Sequence, residues 1–189
     1  MHSIVRSEQM FLLPMIILSI SDWETKKSKI FSWLNDVDYT NEHGPYYTDF
    51  DQQIQYDFNH QPNDYSYKVW KLLYDDIMLL GDQIDYGPDD APSMWTQVYY
   101  RGQEHEVHNH GAIGWSCILF LKFNSEVHKP TKFYAPFNNF NTGAMLTYEP
   151  TVKEGDMIWF PSLLPHTSQL QESEEERVIL SFNLNLKSK

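Results

Sequence analysis

The stretch YYRGQEHEVHNH, residues 99–110, carries three of the chain's eight histidines. Because side chains alternate between the two faces of a β-strand, His108 and His110 would point the same way if this stretch were a strand. By itself the His-x-His pair is a weak signal for a metal site, and a polar strand edge with solvated imidazoles explains it equally well. The choice between these two interpretations depends on the rest of the sequence.

A second histidine-bearing stretch, GDMIWFPSLLPH at residues 155–166, lies downstream and is followed by Arg177. Metal sites need ligands that converge from separate segments, and imidazole suits iron, zinc, copper and nickel. A His-x-His pair on one strand would converge with His166, which follows a proline-containing turn, in a double-stranded β-helix. The two stretches together therefore favour a metal site.

Short strands are predicted throughout the C-terminal half of the chain. Runs rich in aromatic and β-branched residues follow one another after Pro92, separated by Gly, Pro, Asn and charged residues. The predicted strands are residues 95–100, 115–123, 132–135, 145–148, 156–160 and 178–186. Successive short strands without intervening helices are typical of a β-sandwich or barrel.

The N-terminal half has a different pattern, which predicts helices. Ser21-Asp22 is a suitable start for a helix that would end near Asn35, and apolar residues at three- and four-residue spacing predict another from Tyr65 to about Leu80. The polar segment 36–65 is predicted to run over the surface and to cover a cleft. We therefore expect a mostly β fold with N-terminal helices.

The predicted organisation is a single structural domain in two parts. Residues 1–90 would form a helical and loop extension that packs on a barrel made by residues 91–189. The apolar run at residues 11–20 is too short to cross a bilayer as a helix, and we expect it to be a buried strand rather than a membrane contact.

Composition narrows the choice of partners. Asp and Glu number 26 against 14 Lys and Arg, which gives a net charge of −12 and argues against a nucleic-acid partner. Cys117 is the only cysteine, so an intrachain disulfide framework and a thiolate zinc cluster are excluded. A reducing compartment is favoured, and we expect the protein in the cytoplasm, that of the host cell if the protein is viral.

Residues 95–185 resemble the iron(II)- and 2-oxoglutarate-dependent dioxygenases, especially their prolyl-hydroxylase-like branch. The C-terminal pattern is also similar to small oxygenase-like proteins, many of them encoded by phages. It consists of Phe160-Pro161-Ser162, His166, Glu176-Arg177 and Ser181-Phe182-Asn183. The matching positions are Tyr99, Gly102, His108, Gly155, Asp156, Phe160, His166 and Arg177. The resemblance implies a double-stranded β-helix (a jelly-roll, cupin-like barrel) that uses Fe(II), 2-oxoglutarate and O₂.

The resemblance also implies roles for individual residues. His108, His110 and His166 would hold the metal, with His108, His166 and Arg177 as the catalytic residues. The distal carboxylate of 2-oxoglutarate would be bound by Arg177, with help from Tyr99 and Ser181.

Two positions depart from the family pattern. His105 stands where the family has a second tyrosine, which concerns the mouth of the substrate site. His110 replaces the metal-binding aspartate, although two histidines and one carboxylate are the usual ligands of such iron sites. We expect His110 to bind the metal directly. The alternatives are that His110 turns away, or that Glu106 supplies the carboxylate.

Strand periodicity supports a binding role for Arg177 independently of the resemblance. On a strand over residues 177–185, one face is apolar and the other carries Arg177, Ile179, Ser181 and Asn183. A guanidinium on a face that points into a barrel could bind a carboxylate with two hydrogen bonds. The alternative is a surface arginine that pairs with the acidic run at residues 174–176.

The predicted function is a dioxygenase, and specifically a hydroxylase. It would couple decarboxylation of 2-oxoglutarate to succinate with hydroxylation of a C–H bond in a small-molecule or peptidyl substrate. One alternative is a cupin-type metalloprotein with three histidine ligands that does not use 2-oxoglutarate. Another is a binding barrel without catalytic activity.

Overall fold

The computed structural model describes residues 13–40, 44–51, 64–81, 83, 92 and 94–184. Within these residues the helices are α1 (Trp23–Leu34), α2 (Asp64–Leu72) and α3 (Tyr74–Gly81). The strands are β1 (Ile16–Ser19), β2 (Tyr47–Thr48), β3 (Met94–Tyr99), β4 (His105–His108), β5 (Trp115–Lys122), β6 (Thr131–Asn138), β7 (Met145–Tyr148), β8 (Asp156–Pro161), β9 (His166–Ser168) and β10 (Arg177–Leu184).

The strands form two antiparallel sheets that face each other. One sheet has six strands in the order β1-β8-β5-β10-β3-β2, and the other has four in the order β4-β9-β6-β7. Strands that are distant in sequence lie side by side in both sheets. This is the arrangement of a double-stranded β-helix, so the predicted fold class is confirmed.

The predicted strands match those of the structure closely, with differences at the ends. The last predicted strand begins one residue earlier, at Arg177, and its predicted residues 185–186 lie outside the described part of the chain. The apolar run at residues 11–20 contains the edge strand β1, which pairs with β8. Residues 11 and 12 of that run are outside the described residues as well.

The six-stranded sheet separates two apolar cores. On its outer face, Leu180 and Phe182 of β10 belong to a cluster that includes Ile30 of α1 and Val69 of α2. On its inner face, Ile179 belongs to a second cluster that lies between the sheets. The alternation of side chains along β10 is the one that strand periodicity predicts. Each fully buried side chain of this size contributes about 1.5–3 kcal/mol to stability.

The helix predicted over residues 65–80 is present as two helices. The chain bends at Leu73, between α2 and α3, while the backbone bonds Leu73 N to Val69 O and Ile77 N to Leu73 O are both 2.9 Å long. Periodicity does not detect the bend, because the apolar residues on both sides of it pack against the same core.

Helix α1 is held against α3 by an ion pair and against the barrel by close packing. Lys26 forms a 2.6 Å ion pair with Asp76 of α3. Gly155 has a φ of +82°, and a Cβ at that position would lie 2.7 Å from the Trp23 ring. Glycine is therefore needed at residue 155 both for its backbone conformation and for the approach of Trp23.

The N-terminal region supplies β1 and β2 to the six-stranded sheet, in addition to the three helices. The predicted division at residues 90–91 falls outside the described residues and stays a prediction. None of the helices in the described part of the chain is long and apolar enough to span a membrane.

Candidate metal centre

Three histidines converge at one end of the barrel. His108 of β4 and His166 of β9 are directly opposite each other in the antiparallel pair. His110 follows two residues after β4 ends, and one ring nitrogen from each of the three histidines lies within 4.8 Å of the other two. The structure thus brings together the three residues that the sequence predicts as metal ligands.

The strand-borne histidines are oriented by backbone carbonyl groups. Nδ1 of His108 lies 2.7 Å from the carbonyl oxygen of Glu106, and Nδ1 of His166 lies 2.9 Å from that of Leu164. A carbonyl oxygen only accepts, so Nδ1 of each ring donates and carries the proton. Nε2 of each ring is then left with a lone pair, which is the state a metal ligand needs.

His110 is held differently from the other two histidines. It lies beyond the end of β4, so strand alternation does not account for its direction. Its backbone N–H donates to the carbonyl oxygen of Ser162 at 2.9 Å, and its Nδ1 lies 2.7 Å from Oδ1 of Asn183 on β10. His110 therefore points toward His108 and His166 because contacts from two other segments hold it there.

The environment keeps these imidazoles neutral. Burial, with a further contribution from His108, lowers the pKa of His166 to about 3. Burial also lowers the pKa of His108 and of His110, and the neighbouring histidine adds to the effect at His110. Neutral imidazole is the form that binds a metal ion, so the cluster is ready for ligation at neutral pH.

Arg177 and Tyr99 form a second polar group inside the barrel. Arg177 is only 2% exposed and stacks on the Tyr99 ring at 4.5 Å, so it is not a surface arginine paired with the acidic run. Its Nη1 donates to the carbonyl of Lys129 at 2.8 Å, and its Nη2 to that of Gln169 at 3.2 Å. Within the described residues, the buried Arg177 Nε and Tyr99 Oη have no hydrogen-bond partner.

A cavity of about 440 Å³ extends from the histidines into the barrel. Ile179 and Ser181 of β10 line it, whereas Arg177 lies one inward-facing position further along the strand, behind the lining. Two other lining residues, Phe50 and Trp95, are aromatic and pack edge to face with ring centroids 5.2 Å apart. Among the described lining residues there is no Asp, Glu, Lys or Arg.

A chain of hydrogen bonds crosses the cavity wall. Ser181 Oγ donates to Gln97 Oε1 at 3.1 Å, Gln97 Nε2 lies 3.2 Å from His105 Nδ1, and His105 Nε2 lies 3.2 Å from Tyr46 Oη. The His105 ring stacks on that of His108, with centroids 3.8 Å apart. Burial and the neighbouring histidines lower the pKa of His105 to about 3. His105 thus braces a metal-ligand candidate and also lines the cavity.

Residues 93–183 match the family model described as "Putative 2OG-Fe(II) oxygenase". This stretch, which runs from β3 into β10, is that of a 2OG-Fe(II) oxygenase. The expected family is thereby confirmed, and the barrel is that of an enzyme. No curated protein sequence matches this oxygenase significantly.

Solved structures of the family share the fold of this oxygenase at low sequence identity. An oxidoreductase of the 2OG-Fe(II) oxygenase family from Burkholderia pseudomallei is 11% identical, with a TM-score of 0.62 over 89% of this chain and 82% of that one. A prolyl-4-hydroxylase from Pseudomonas putida is 12% identical, with a TM-score of 0.59 over 93% and 94%. HygX from Streptomyces hygroscopicus, with nickel and 2-oxoglutarate bound, is 10% identical, with a TM-score of 0.65 over 93% and 84%.

These findings bear on the alternatives for the metal centre. Within the described residues the candidate ligand group is His108, His110 and His166, so His110 does not turn away. Glu106 is exposed and lies outside that group. A cupin-type protein that does not use 2-oxoglutarate is not favoured, because the family match and the fold both point to the oxygenases. The roles of the individual site residues stay predictions.

Sequence reasoning missed two residues of this oxygenase that contact the candidate site. Asn183 appears in the sequence as one member of the polar face of β10 and of the family-like C-terminal pattern, and nothing there pairs it with His110, 73 residues away. Gln97 carries no motif, and its only signal is its position two residues before Tyr99 on the same face of β3. Asn183 reaches His110 from the other sheet, and Gln97 connects His105 to Ser181, which is 84 residues away from Gln97.

Proposed function

We propose that this oxygenase is an Fe(II)- and 2-oxoglutarate-dependent dioxygenase that hydroxylates a C–H bond of its substrate. The observation that carries the proposal is one interior region with two complementary ends. Three neutral imidazoles converge at one end, and a buried guanidinium with an unpartnered Nε lies toward the other. A metal ion and a dicarboxylate would together satisfy both groups.

The histidines fit a ferrous ion in their chemistry. His108, His110 and His166 would hold the metal through Nε2, since each Nδ1 has its own hydrogen-bond partner. Three neutral ligands leave the site with a charge of +2, whereas a carboxylate in place of His110 would reduce it to +1. The higher charge favours a dianionic keto acid as the next ligand.

The second group fits the distal carboxylate of 2-oxoglutarate. An unpartnered buried donor costs about 1–3 kcal/mol, and Arg177 Nε and Tyr99 Oη are both in that state. A carboxylate that accepts from these donors would remove the penalty with charge-assisted hydrogen bonds. Ser181, on the same face of β10 as Arg177, would face the body of the keto acid.

The role of each group in the proposed reaction follows from its position. A ferrous ion with 2-oxoglutarate and O₂ supplies the oxidising chemistry, in which decarboxylation to succinate and CO₂ is coupled to substrate oxidation. The histidines would hold the metal, and Arg177 would hold the far end of the cosubstrate. The aromatic residues Tyr46, Phe50 and Trp95 would exclude water and hold the substrate beside the metal.

Proteins of the same fold give support for the cofactors and for a small-molecule substrate. HygX has been crystallised with nickel, 2-oxoglutarate and hygromycin B. The epimerase SnoN has been crystallised with Fe³⁺, α-ketoglutarate and nogalamycin RO. For the present chain, the uncharged and partly aromatic lining favours a substrate whose bound portion is uncharged.

The proposal is tested by thermal unfolding of metal-stripped protein with Mn²⁺, in the presence and absence of 2-oxoglutarate. Ligand at about 100 times its dissociation constant stabilises the native state by about 2.7 kcal/mol. We expect a metal-dependent stabilisation by 2-oxoglutarate that is lost in Arg177→Ala. Stabilisation by metal alone, in both proteins, would contradict the use of 2-oxoglutarate.

Catalysis needs a separate measurement. With Fe²⁺, ascorbate and O₂, we expect succinate release that depends on metal and rises when a substrate is added. Candidate substrates would be screened in groups of neutral, cationic and anionic compounds, with mass spectrometry to detect the gain of one oxygen atom. A protein that binds metal and 2-oxoglutarate but releases no succinate under any condition would be a binding barrel.

A further inference from the structure

The candidate ligand His110 is held in a closed ring of hydrogen bonds. Its backbone N–H donates to the carbonyl of Ser162, and the hydroxyl groups of Ser162 and Ser116 are 2.9 Å apart. Ser116 Oγ donates to Oδ1 of Asn183 at 2.8 Å, and His110 Nδ1 lies 2.7 Å from the same oxygen. Residues of β5, of β10 and of the turn after β8 therefore combine to hold the segment that carries His110.

This support differs in kind from that of the other two histidines. Nδ1 of His108 and Nδ1 of His166 are bonded to the backbone carbonyl two residues earlier in the chain. A backbone carbonyl can only accept, so it fixes the tautomer of the ring without any further group. The partner of His110 is a side-chain amide, which presents an oxygen or a nitrogen depending on how it is turned.

In the structure, the amide atom of Asn183 that faces His110 is Oδ1. The Ser116 hydroxyl has one proton and gives it to Asn183, so its own lone pair accepts from Ser162. Asn183 Oδ1 then receives two donors, and its Nδ2 is turned away from His110. If the amide were reversed, Nδ2 would donate to Nδ1, and the proton of the imidazole would sit on Nε2. That tautomer has no lone pair on Nε2 for a metal.

We propose that Asn183 is a positioning residue for the third metal ligand. Oδ1 of Asn183 holds His110 in the tautomer with the proton on Nδ1, and the Ser116 hydroxyl donates to the same oxygen. The inference rests on the proposed function, because it takes His110 as a ligand. It assigns to a side chain of β10 the orienting role that backbone carbonyls have for His108 and His166.

The first test compares the Co²⁺ affinity of the full chain with that of three variants. Asn183→Leu removes the acceptor, and we expect Co²⁺ to bind 10–100-fold more weakly. Asn183→Asp keeps an oxygen acceptor and should bind within a few-fold of wild type. Asn139→Leu is the matched control, since Asn139 Oδ1 also accepts two hydrogen bonds but in the β6–β7 turn, and it should bind as wild type does.

The second test reads the tautomer directly in metal-free protein. In ¹⁵N spectra of the histidine side chains, wild type should show the proton on Nδ1 for His108, His110 and His166. In Asn183→Leu only His110 should change, to a mixture of both tautomers. His108 and His166 are internal controls, because their backbone partners are unaffected and their signals also report that the variant is folded.

The outcomes separate this inference from the proposed function. If wild type binds no Co²⁺, the metal centre itself is wrong. If wild type binds Co²⁺ and loses affinity in His110→Ala, but Asn183→Leu binds equally well with an unchanged His110 tautomer, Asn183 has no positioning role and the proposed function stands. A proton on Nε2 of His110 in wild type would likewise overturn the inference.

Discussion

The two polar groups inside the barrel differ in how completely the protein satisfies them. At the histidine group, Nδ1 of His108, His110 and His166 each has a hydrogen-bond partner, and the Nε2 lone pairs are left for a ligand. At the arginine group, Arg177 Nε and Tyr99 Oη are buried without a partner in the described chain. The proposed metal end is therefore preorganised by the fold alone, whereas the arginine end would be completed by the bound carboxylate that we propose. Substitutions at the two ends should differ accordingly.

The largest effect is expected from removing a ligand at the preorganised end. His166→Ala takes away one of three ligands, and two imidazoles alone should hold Co²⁺ at least about 100-fold more weakly. Equilibrium titration of the metal-stripped protein measures this loss. The variant should also lose metal-dependent stabilisation by 2-oxoglutarate, because the keto acid needs the metal.

His110→Asp is the informative companion to His166→Ala. It restores the two-histidine, one-carboxylate ligand set, so it should retain metal binding while His110→Ala does not. Equal affinity in wild type and in His110→Ala would show that His110 is not a ligand, whatever the result for His166→Ala.

At the arginine end, Arg177→Met should weaken the binding of 2-oxoglutarate without weakening the binding of the metal. The positive charge is lost, and we expect the dissociation constant of 2-oxoglutarate to rise by about 100-fold, since a buried charge-assisted pair is broken. Co²⁺ affinity should change by less than 3-fold, because Arg177 does not contact the histidines. Isothermal titration with 2-oxoglutarate and with metal measures both. A parallel loss of metal affinity would contradict the independence of the two ends.

Tyr99→Phe should have two smaller effects, which are higher stability of the ligand-free protein and weaker binding of 2-oxoglutarate. Its hydroxyl is a buried donor without a partner, so the ligand-free protein should become about 1 kcal/mol more stable in urea unfolding. The same change removes a donor to the carboxylate, and 2-oxoglutarate should bind about 10-fold more weakly. A less stable ligand-free variant would mean that the hydroxyl is already satisfied in the native protein.

The strand pattern of the C-terminal half could be predicted from sequence because it depends on local alternation. Along β10, Leu180 and Phe182 face the helices while Ile179 and Ser181 face the interior, as a period of two requires. The bend at Leu73 could not be predicted, since apolar spacing continues through it. Strand β9 is only three residues long, too short to give a periodic signal.

The part of the candidate site that could be predicted consists of motif residues that strand pairing brings together. His108 and His166 fall opposite each other because β4 pairs with β9, and both occupy positions of the family motif. The partner of His110 was not predictable, because Asn183 reaches it from another sheet and the contact depends on the register of β10 against β5. The chain of bonds from Ser181 to Tyr46 likewise depends on how loops and strands meet in three dimensions.

The last contrast between the two ends concerns pH. His105 and His166 have pKa values of about 3 in the native protein and about 6.5 when unfolded, so between these values the unfolded state binds more protons. The free energy of unfolding of metal-free protein should therefore be highest above pH 6.5 and fall as the pH drops toward 3, by up to about 1.4 kcal/mol per pH unit for each histidine.

His105→Gln removes one such group, and urea unfolding at pH 7, 6 and 5 should give a shallower dependence than wild type. Tyr99→Phe should keep the wild-type dependence, because neither Tyr99 nor Arg177 changes its charge in this range. An unchanged slope in His105→Gln would show that His105 is not kept neutral by burial, and that the histidine end is less closed to water than the structure indicates.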